Sequence, residues 1–154
     1  MNIVLIGFRG TGKSTVGRLL AKHLERVFVD SDKCIESSTG KTIKSIFEED
    51  GEEVFRKIEA DTIAELSKAD NNVISAGGGV VLKEDNVKNL KENGFLVLLE
   101  ATPEIIHTRI ALDEKATLQR PSLTDKTPIN EIKHLISERE PAYKNAADYT
   151  VNTS

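Results

Sequence analysis

A glycine-rich segment near the start of the chain has the residue types and the spacing needed to hold phosphate groups. Residues 7–14, Gly-Phe-Arg-Gly-Thr-Gly-Lys-Ser, match the pattern Gly-x-x-x-x-Gly-Lys-Ser/Thr at every position. Glycines let the backbone curl until successive N–H groups point at one anion. Lys13 can reach the outer phosphates of a nucleotide, and the Ser14 hydroxyl can ligate Mg²⁺. The predicted nucleotide site comprises Gly10, Thr11, Gly12, Lys13, Ser14 and Thr15.

The neighbours of this loop decide between a phosphate site and an ordinary glycine-rich turn. Residues 2–6 are almost all apolar and predict a strand buried on both faces. Residues 13–25 carry apolar side chains at helical spacing. The phosphate interpretation requires this order of strand, loop and helix, because the helix N-terminus faces the anion. We therefore expect nucleotide binding.

Two aspartates, Asp30 and Asp32, follow the second predicted strand, residues 27–29. In a parallel sheet the ligand crevice lies at the carboxyl ends of the strands, so both side chains should emerge beside the phosphate loop. One carboxylate can help to hold Mg²⁺, and the other can accept a proton from a hydroxyl or orient it for attack. The alternative, that Ser31 or Asp32 only caps the next helix, stays open.

Charged residues lie at the apolar faces of two predicted helices. In residues 52–68, Glu59 falls inside the apolar arc and Arg56 lies close to its edge, and in residues 129–144 Arg139 continues the apolar stripe. An arginine that faces inward needs an anionic partner, because an unpaired buried charge is costly. The partner is either a structural carboxylate, such as Glu59 for Arg56, or a bound acid whose carboxylate matches the guanidinium fork. Both interpretations remain open for each arginine.

Three consecutive glycines follow the third predicted strand, residues 73–75. Gly77, Gly78 and Gly79 permit close approach of the backbone to a ligand at the same sheet edge. A flexible loop without a ligand is the alternative interpretation of this triplet.

Residues 113–127 are polar, lack periodicity and contain Arg120. One interpretation is a mobile lid, whose arginine stabilises the charge that develops during phosphoryl transfer. The other is a disordered surface loop, and composition does not separate the two.

The predicted elements alternate between strands and helices along the whole chain. Besides those named above, the pattern predicts helices at 32–38, 42–49, 84–92 and 104–112, and strands at 95–99 and 149–151. This alternation predicts an α/β fold, with helices on both faces of a parallel sheet. The 154 residues contain no internal repeat and no linker, so we expect residues 1–154 to form a single domain.

Composition and charge narrow the class of protein. Apolar residues make up 38% and charged residues 30%, which is typical of a soluble globular protein. The formal net charge of −4 argues against a nucleic-acid partner. No apolar run is long enough for a membrane span, and we recognise no signal peptide. Cys34 is the only cysteine, so an internal disulfide is excluded and a cytoplasmic location is expected.

Several of these segments, taken together, resemble the shikimate kinase family. They are GFRGTGKSTVGRLLA, FVDSD, TGKTIKSIFEEDGEEVFRKIE, SAGGG, QRPSL and EREPAY, in the order and rough spacing of that family. The resemblance covers residues 2 to about 151. Many enzymes share the phosphate loop, whereas the combination of FVDSD, EEVFRKIE and SAGGG is far more specific.

The resemblance implies a fold and an activity. The fold is a three-layer P-loop NTPase fold with a five-stranded parallel sheet, similar to nucleoside monophosphate kinases, with a mobile lid at about residues 113–127. The activity is transfer of the γ-phosphate of ATP, with Mg²⁺, to the 3-hydroxyl of shikimate in aromatic amino-acid biosynthesis. We expect the enzyme to act as a monomer on these two small molecules.

The resemblance also assigns roles to matching positions. Lys13 and the loop backbone should hold phosphates, while Ser14 ligates Mg²⁺ with Asp30 nearby through water. The adenine should pack on Arg109, and Arg120 should be the lid arginine. On the acceptor side, Asp32 should hold the ring hydroxyls and act as the candidate base. The remaining shikimate contacts are expected from Arg56, Arg139, Gly77, Gly78 and Gly79, and the expected catalytic residues are Lys13, Asp32 and Arg120.

The chain departs from the family pattern on the adenine side. The stretch between Arg109 and Arg120 is slightly longer than expected. The sequence also stops at residue 154, where the family usually continues into another helix that often contacts the adenine, so we expect that helix to be absent.

Two rival functions stay open from the sequence. The first is another small-molecule kinase of the same fold, such as a gluconate or nucleotide kinase, which would not need paired carboxylate-binding arginines. The second is a nucleotide-binding module without catalysis, which would not need Lys13, Ser14, Asp30, Asp32 and Arg120 together.

Overall fold

The computed structural model describes residues 1–116 and 128–154, in which strands and helices alternate as the sequence predicts. The strands are β1 (Asn2–Ile6), β2 (Val27–Asp30), β3 (Asn72–Ser75), β4 (Gly94–Glu100) and β5 (Tyr149–Asn152). The helices are α1 (Lys13–Leu24), α2 (Ser31–Thr39), α3 (Ile43–Glu49), α4 (Glu52–Ser67), α5 (Glu84–Glu92), α6 (Pro103–Ala116) and α7 (Ile129–Ala146). A short 3₁₀ turn at Val80–Leu82, which the sequence pattern did not predict, follows the glycine triplet. Within the described part of the chain, no helix combines the length and the apolar character needed to cross a membrane.

The strands form one sheet in the order β2-β3-β1-β4-β5, and every neighbouring pair is parallel. In the centre of the sheet, Val4 of β1 lies opposite Ile74 of β3 and Leu96 of β4. The predicted five-stranded parallel sheet is therefore confirmed. Because β2, β3 and β1 are adjacent, the segments that follow them converge at one edge of the sheet. These segments contain the phosphate loop, the two aspartates and the glycine triplet.

Helices cover both faces of the sheet, so the expected three layers are confirmed. Val4 and Ile6 of β1 point to one face and pack in a cluster with buried residues of α4, α5, α6 and α7, namely Ile63, Leu90, Ile106, Ile110 and Ile132. Leu5 points to the opposite face and packs against Ala21 of α1. This alternation along a central strand follows from the two-residue period of β-structure.

A separate apolar cluster lies outside the sheet, among α2, α3 and α4. It contains the buried side chains of Ile35, Ile43, Ile46 and Phe55. The break between α2 and α3 falls where the sequence predicts it. Gly40 ends α2 in a left-handed conformation (φ 70°) that favours glycine, and the Thr42 hydroxyl caps α3 by accepting from Ser45 N at 3.1 Å. These turns hold α3 beside the edge where the ligand crevice is expected.

The boundary of one predicted segment requires a correction. The sequence pattern placed the start of the aperiodic segment, the expected lid, at residue 113, but α6 continues through Ala116. Residues 113–116, Asp-Glu-Lys-Ala, have no apolar side chain large enough to mark a helical period, yet Glu, Lys and Ala favour helix. Propensity therefore extends the helix beyond the point where the hydrophobic pattern ends. The rest of the expected lid, residues 117–127, lies outside the described residues.

Asp148 holds the start of β5 against β4, and this contact makes stability depend on pH. One carboxylate oxygen accepts from Leu96 N at 2.9 Å, and the other accepts from Lys91 Nζ at 3.2 Å. The hydrogen bond from Leu96 is the main cause that lowers the pKa of Asp148. We expect Asp148→Ala to lower the free energy of unfolding by about 1 kcal/mol at neutral pH, measured by urea denaturation.

The sign of the pH effect follows from the lowered pKa. The stabilisation is present above the pKa of an unfolded aspartate, about 3.9, and is lost as the pH falls through the lower pKa of the folded state. The difference between wild type and Asp148→Ala should therefore shrink on acidification. Asp148→Asn serves as the control, because it keeps an acceptor for Leu96 N but does not titrate. An Asp148→Ala difference that persists unchanged at acid pH would contradict this role.

Candidate active site

The phosphate loop connects β1 to α1, and its own backbone contacts shape it. Gly12 is the N-cap of α1, with φ at 96°, a conformation that favours glycine, and its carbonyl accepts from Val16 N at 2.9 Å. Inside the loop, the buried Thr11 hydroxyl donates to Phe8 O at 2.8 Å. Gly10 lies against α6, where a Cβ would come within 3.3 Å of Ile106 O. The loop is therefore a defined turn that leads directly into a helix N-terminus.

Lys13 lies over this loop. Its Nζ donates to Gly7 O at 2.6 Å and to Phe8 O at 3.0 Å. The ammonium is thus held at the concave side of a turn whose following helix presents its positive end. Both features favour a bound anion, and they agree with the phosphate-binding interpretation of the motif.

Asp30 connects the phosphate loop to β2. Its Oδ2 accepts from Ser14 Oγ at 3.1 Å, while its Oδ1 caps α2 by accepting from Asp32 N at 2.9 Å and Lys33 N at 3.3 Å. The alternative in which Ser31 or Asp32 caps this helix is wrong, because Asp30 is the capping residue. The cap leaves one oxygen of Asp30 beside the Ser14 hydroxyl.

The next two residues of the Asp-Ser-Asp segment face the glycine triplet. Ser31 is fully buried, and its Oγ accepts from Gly77 N at 3.0 Å. The Asp32 carboxylate lies over the same glycine, since a Cβ at Gly77 would be only 2.8 Å from Asp32 Oδ1. Three consecutive residues therefore have three separate contacts, and both Asp30 and Asp32 line the crevice.

Arg56 and Glu59 form an ion pair on α4, with Arg56 Nη1 at 2.8 Å from Glu59 Oε1. The Glu59 side chain is 2% exposed and that of Arg56 is 19% exposed. Burial raises the pKa of Glu59 most strongly; the positive charge of Arg56 opposes this shift, and the nearby Asp32 carboxylate adds to it. Of the two partners considered for Arg56, a structural carboxylate is therefore present, and it is Glu59. Glu52 Oε1 also lies 3.7 Å from Arg56 Nε, so two carboxylates of its own helix hold this guanidinium where it lines the cleft.

Two glycines of the triplet make room for a charged side chain, and the middle one borders a third. Gly77 lies under Asp32, Gly79 lies under the Arg56 guanidinium, and a Cβ at Gly79 would collide with that guanidinium. A Cβ at Gly78 would lie 3.5 Å from Arg139 Nη1. Side chains of the protein therefore approach this segment closely, and the predicted contact of its backbone with a ligand stays a prediction.

Arg139 reaches the same place from α7. Its guanidinium carbon lies 5.5 Å from the centre of the Phe8 ring, which is cation–π distance. Tyr143, one turn further along α7, donates from its hydroxyl to Gly78 O at 2.6 Å. The two arginines that interrupt helical apolar faces thus meet at the glycine triplet, although one comes from α4 and the other from α7.

A cleft of about 440 Å³ unites these groups. Of the residues singled out from the sequence, those that line it are Gly10, Gly12, Lys13, Ser14, Thr15, Asp30, Asp32, Arg56, Gly77, Gly78, Gly79 and Arg139. Thr11 is buried within the loop itself. Within the cleft, the phosphate loop adjoins the part lined by Asp32, Arg56 and Arg139, since a Cβ at Gly78 would lie 3.6 Å from Arg9 N and 3.7 Å from Gly7 O.

Some residues that line the cleft were not predicted from the sequence as part of the site. Phe47 and Phe55 line it, with ring centres 4.7 Å apart, and so does Glu59. Phe55 belongs to the apolar arc of α4, so the helical pattern identified it as an ordinary core residue. The charged Glu59 inside that arc was the signal that this part of the arc borders a polar site.

Two expected residues lie outside this arrangement. Arg109 of α6 is not one of the described residues that line the cleft. It donates to Gly10 O at 3.3 Å and to Thr153 O at 2.7 Å. It therefore joins the phosphate loop to the segment after β5, beside the expected nucleotide position. Arg120 lies outside the described residues, and its lid role stays a prediction from the sequence.

A family model described as shikimate kinase matches residues 9–154 of the chain. The chain belongs to the shikimate kinase family. A shikimate kinase of Caldanaerobacter subterraneus subsp. tengcongensis is 45% identical over 153 residues, which cover 99% of this chain and 86% of the relative. Another from Pelotomaculum thermopropionicum is 48% identical over 152 residues, with the same two shares covered.

A solved structure agrees with these relatives. Shikimate kinase from Acinetobacter baumannii, in complex with shikimate, is similar to this chain with a TM-score of 0.92 and 39% identity, covering 99% of this chain and 83% of the other. The predicted family, its P-loop kinase fold and its class as an ATP-dependent phosphotransferase are therefore confirmed. Shikimate kinase function is confirmed over the interpretation as another small-molecule kinase.

Proposed function

We propose that residues 1–154 act as one kinase domain, which transfers the γ-phosphate of ATP to the 3-hydroxyl of shikimate and releases ADP. The cleft carries this proposal, because the phosphate-binding loop, Asp32 and the two arginines all line it. The single cysteine, which cannot form an internal disulfide, supports a reducing cytoplasm as the location.

The phosphate end holds ATP through the loop amides, the N-terminus of α1 and Lys13. Lys13 donates to two loop carbonyls, Gly7 O and Phe8 O, so its ammonium lies at the loop. The outer phosphates compete with these carbonyls for the ammonium. A fixed positive charge at this place stabilises the negative charge that spreads over the transferring group. Arg109, which contacts Gly10 O, borders the adenine side of the same loop.

Ser14 and Asp30 fit Mg²⁺, a cation that prefers oxygen ligands and keeps several of its waters. Ser14 Oγ lies 3.1 Å from Asp30 Oδ2, which the helix cap does not use. These two groups would hold the ion, Ser14 directly and Asp30 through water. The ion would neutralise charge on the β- and γ-phosphates of bound ATP.

The acceptor end selects an acid that carries hydroxyl groups. Arg56 and Arg139 converge at Gly79 and Gly78 and present guanidinium groups that match a carboxylate. Asp32 lies over Gly77 next to them, where it orients the attacking hydroxyl and accepts its proton. The Acinetobacter relative, whose structure contains shikimate, supports the choice of this acid.

A coupled assay of ADP release tests the function directly. Purified protein with ATP and Mg²⁺ should release ADP only when shikimate is present, and the product should be shikimate 3-phosphate by mass spectrometry. Gluconate and nucleoside monophosphates serve as competing acceptors in the same assay. ATP binding without turnover on any acceptor would show a binding module instead, and preference for gluconate or a nucleotide would show the other kinase class.

The two arginines should control affinity for shikimate. Arg139→Ala is expected to raise KM for shikimate by at least about 30-fold, because truncating one partner of a buried charged contact costs about 2–5 kcal/mol. Arg56→Ala should do the same, with an added effect on Glu59, whose buried charge loses its partner. Steady-state kinetics with each substrate varied in turn gives both KM values.

Arg26→Ala is the matched control, since Arg26 contacts Met1 O and does not line the cleft among the described residues. Its KM values should stay at those of the wild type. A change in KM for ATP alone, with KM for shikimate unaltered in Arg139→Ala, would assign Arg139 to the nucleotide instead.

A further inference from the structure

The glycine triplet has no side chains with which to fix its own shape, yet Asp32, Arg56 and Arg139 are all placed against it. Glycine has the greatest conformational freedom of any residue, so this segment depends on hydrogen bonds to keep its shape. The turn that follows supplies two, since Gly77 O accepts from Val80 N and Gly79 O accepts from Leu82 N, each at 3.1 Å. Two buried hydroxyl groups bind two other polar atoms of the triplet, Gly77 N and Gly78 O, one from the start of α2 and one from α7.

The first hydroxyl belongs to Ser31. Its side chain is fully buried between β2 and the triplet, and its Oγ accepts from Gly77 N at 3.0 Å. Because the peptide unit is planar, this bond sets the orientation of the whole Ala76–Gly77 peptide. The same residue stands between Asp30, which caps α2 beside Ser14, and Asp32, which lies over Gly77. Its bond therefore ties the glycine to the residue that precedes Asp32.

The second hydroxyl belongs to Tyr143, which is 5% exposed and packs in the main core cluster. It donates to Gly78 O at 2.6 Å. Burial raises the pKa of Tyr143, and hydrogen bonding and charge from Arg139 oppose that shift. The phenol thus lies between the carbonyl of Gly78 and the guanidinium of Arg139. In a trans peptide the N–H points away from the C=O, so this bond turns the Gly79 N–H away from Tyr143.

We propose that Ser31 and Tyr143 are positioning residues for the acceptor end of the cleft: they clamp the glycine triplet from both sides and so align it with Asp32 and Arg139. The proposal rests on the function proposed above. Neither hydroxyl has to touch the acceptor to act in this way. Loss of either bond frees a peptide of the triplet and leaves a buried polar group without its partner, which costs free energy.

Tyr143→Phe and Ser31→Ala test the clamp by removing one oxygen each. Each variant should raise KM for shikimate about 5- to 10-fold, the effect of one lost hydrogen bond, and leave KM for ATP near the wild-type value. Loss of folded protein would lower the apparent kcat without moving either KM, so the selective rise in KM separates positioning from a structural role. Isothermal titration of shikimate gives the same comparison without turnover.

Two matched controls remove a hydroxyl elsewhere. Ser67→Ala removes a hydroxyl on α4 that donates to Ile63 O at 2.7 Å. Tyr149→Phe removes the hydroxyl of an exposed tyrosine on β5. Both should keep the wild-type KM for shikimate. If Ser31→Ala does not fold, Tyr143→Phe decides alone, since it keeps the aromatic ring in the core.

The outcomes distinguish this inference from the proposed function. Wild-type protein that does not phosphorylate shikimate overturns both. An active wild type, with KM for shikimate unchanged in Tyr143→Phe and in any folded Ser31→Ala, overturns the clamp alone. Equal rises in both KM values overturn it as well, because the effect would then not be confined to the acceptor end.

Discussion

Lys13→Ala is expected to lower kcat by about 10³-fold or more while the fold stays intact. Lys13 Nζ contacts the phosphate loop at Gly7 O and Phe8 O, so the side chain contributes its charge at the loop rather than packing in the core. That charge is needed most as negative charge redistributes over the transferring phosphoryl group. Steady-state kcat at saturating ATP and shikimate, together with a circular dichroism spectrum, gives the result.

Lys22→Ala is the matched control for this variant. Lys22 is an exposed lysine on the same helix, so its loss removes an equal charge from α1 without touching the loop. Its kcat should equal that of the wild type. Normal turnover by Lys13→Ala with an unchanged spectrum would show that residues 7–14 do not serve the reaction.

Asp32→Asn is expected to lower kcat by about 10²- to 10⁴-fold, the range for loss of a positioned general base, with little change in ATP binding. The amide keeps the shape of the carboxylate over Gly77 but cannot take the proton of the attacking hydroxyl. The variant also removes a negative charge that helps to raise the pKa of Glu59. Glu59 should therefore ionise more readily in Asp32→Asn, which strengthens its pair with Arg56.

Asp61→Asn on the exposed face of α4 is the control for Asp32→Asn. Asp61 is 73% exposed and lies 3.8 Å from Lys57, so its loss should leave kcat unchanged. ATP affinity measured by titration shows whether the nucleotide end is intact in both variants. A wild-type kcat in Asp32→Asn would show that Asp32 takes no part in the chemistry.

The secondary structure was predictable because each element has a local pattern. Strand β1 and helix α5 have the predicted bounds, Asn2–Ile6 and Glu84–Glu92. Apolar periodicity and the signals that start and end a helix or strand depend only on neighbouring residues. They can therefore be recognised in the sequence without knowledge of the fold. The prediction failed where periodicity ended before helix propensity did, at the C-terminal end of α6, which continues to Ala116.

The candidate site was predictable in its parts and not in its assembly. The aspartates and the glycine triplet could be placed at one sheet edge, because all parallel strands end there. The helical wheel marked Arg56 and Arg139 as charges on inward faces, but it does not show what those faces meet. The apolar arc of α4 predicts that Phe55 is a core residue, although it also lines the cleft. The hydroxyls of Ser31 and Tyr143 cannot be recognised from the sequence, because their partners are backbone atoms of distant residues.

The sequence by itself determined the phosphate loop, the alternation of elements and the resemblance to one family. Each of these depends on neighbouring residues, whose conformation is governed by local sterics, capping and periodicity. Only the tertiary structure decided that Arg56 of α4 and Arg139 of α7 meet at one glycine triplet. The strand order β2-β3-β1 and the packing of α4 and α7 on one face bring these groups together. Such contacts join residues far apart in the chain, and packing of whole faces selects them, which no local pattern encodes.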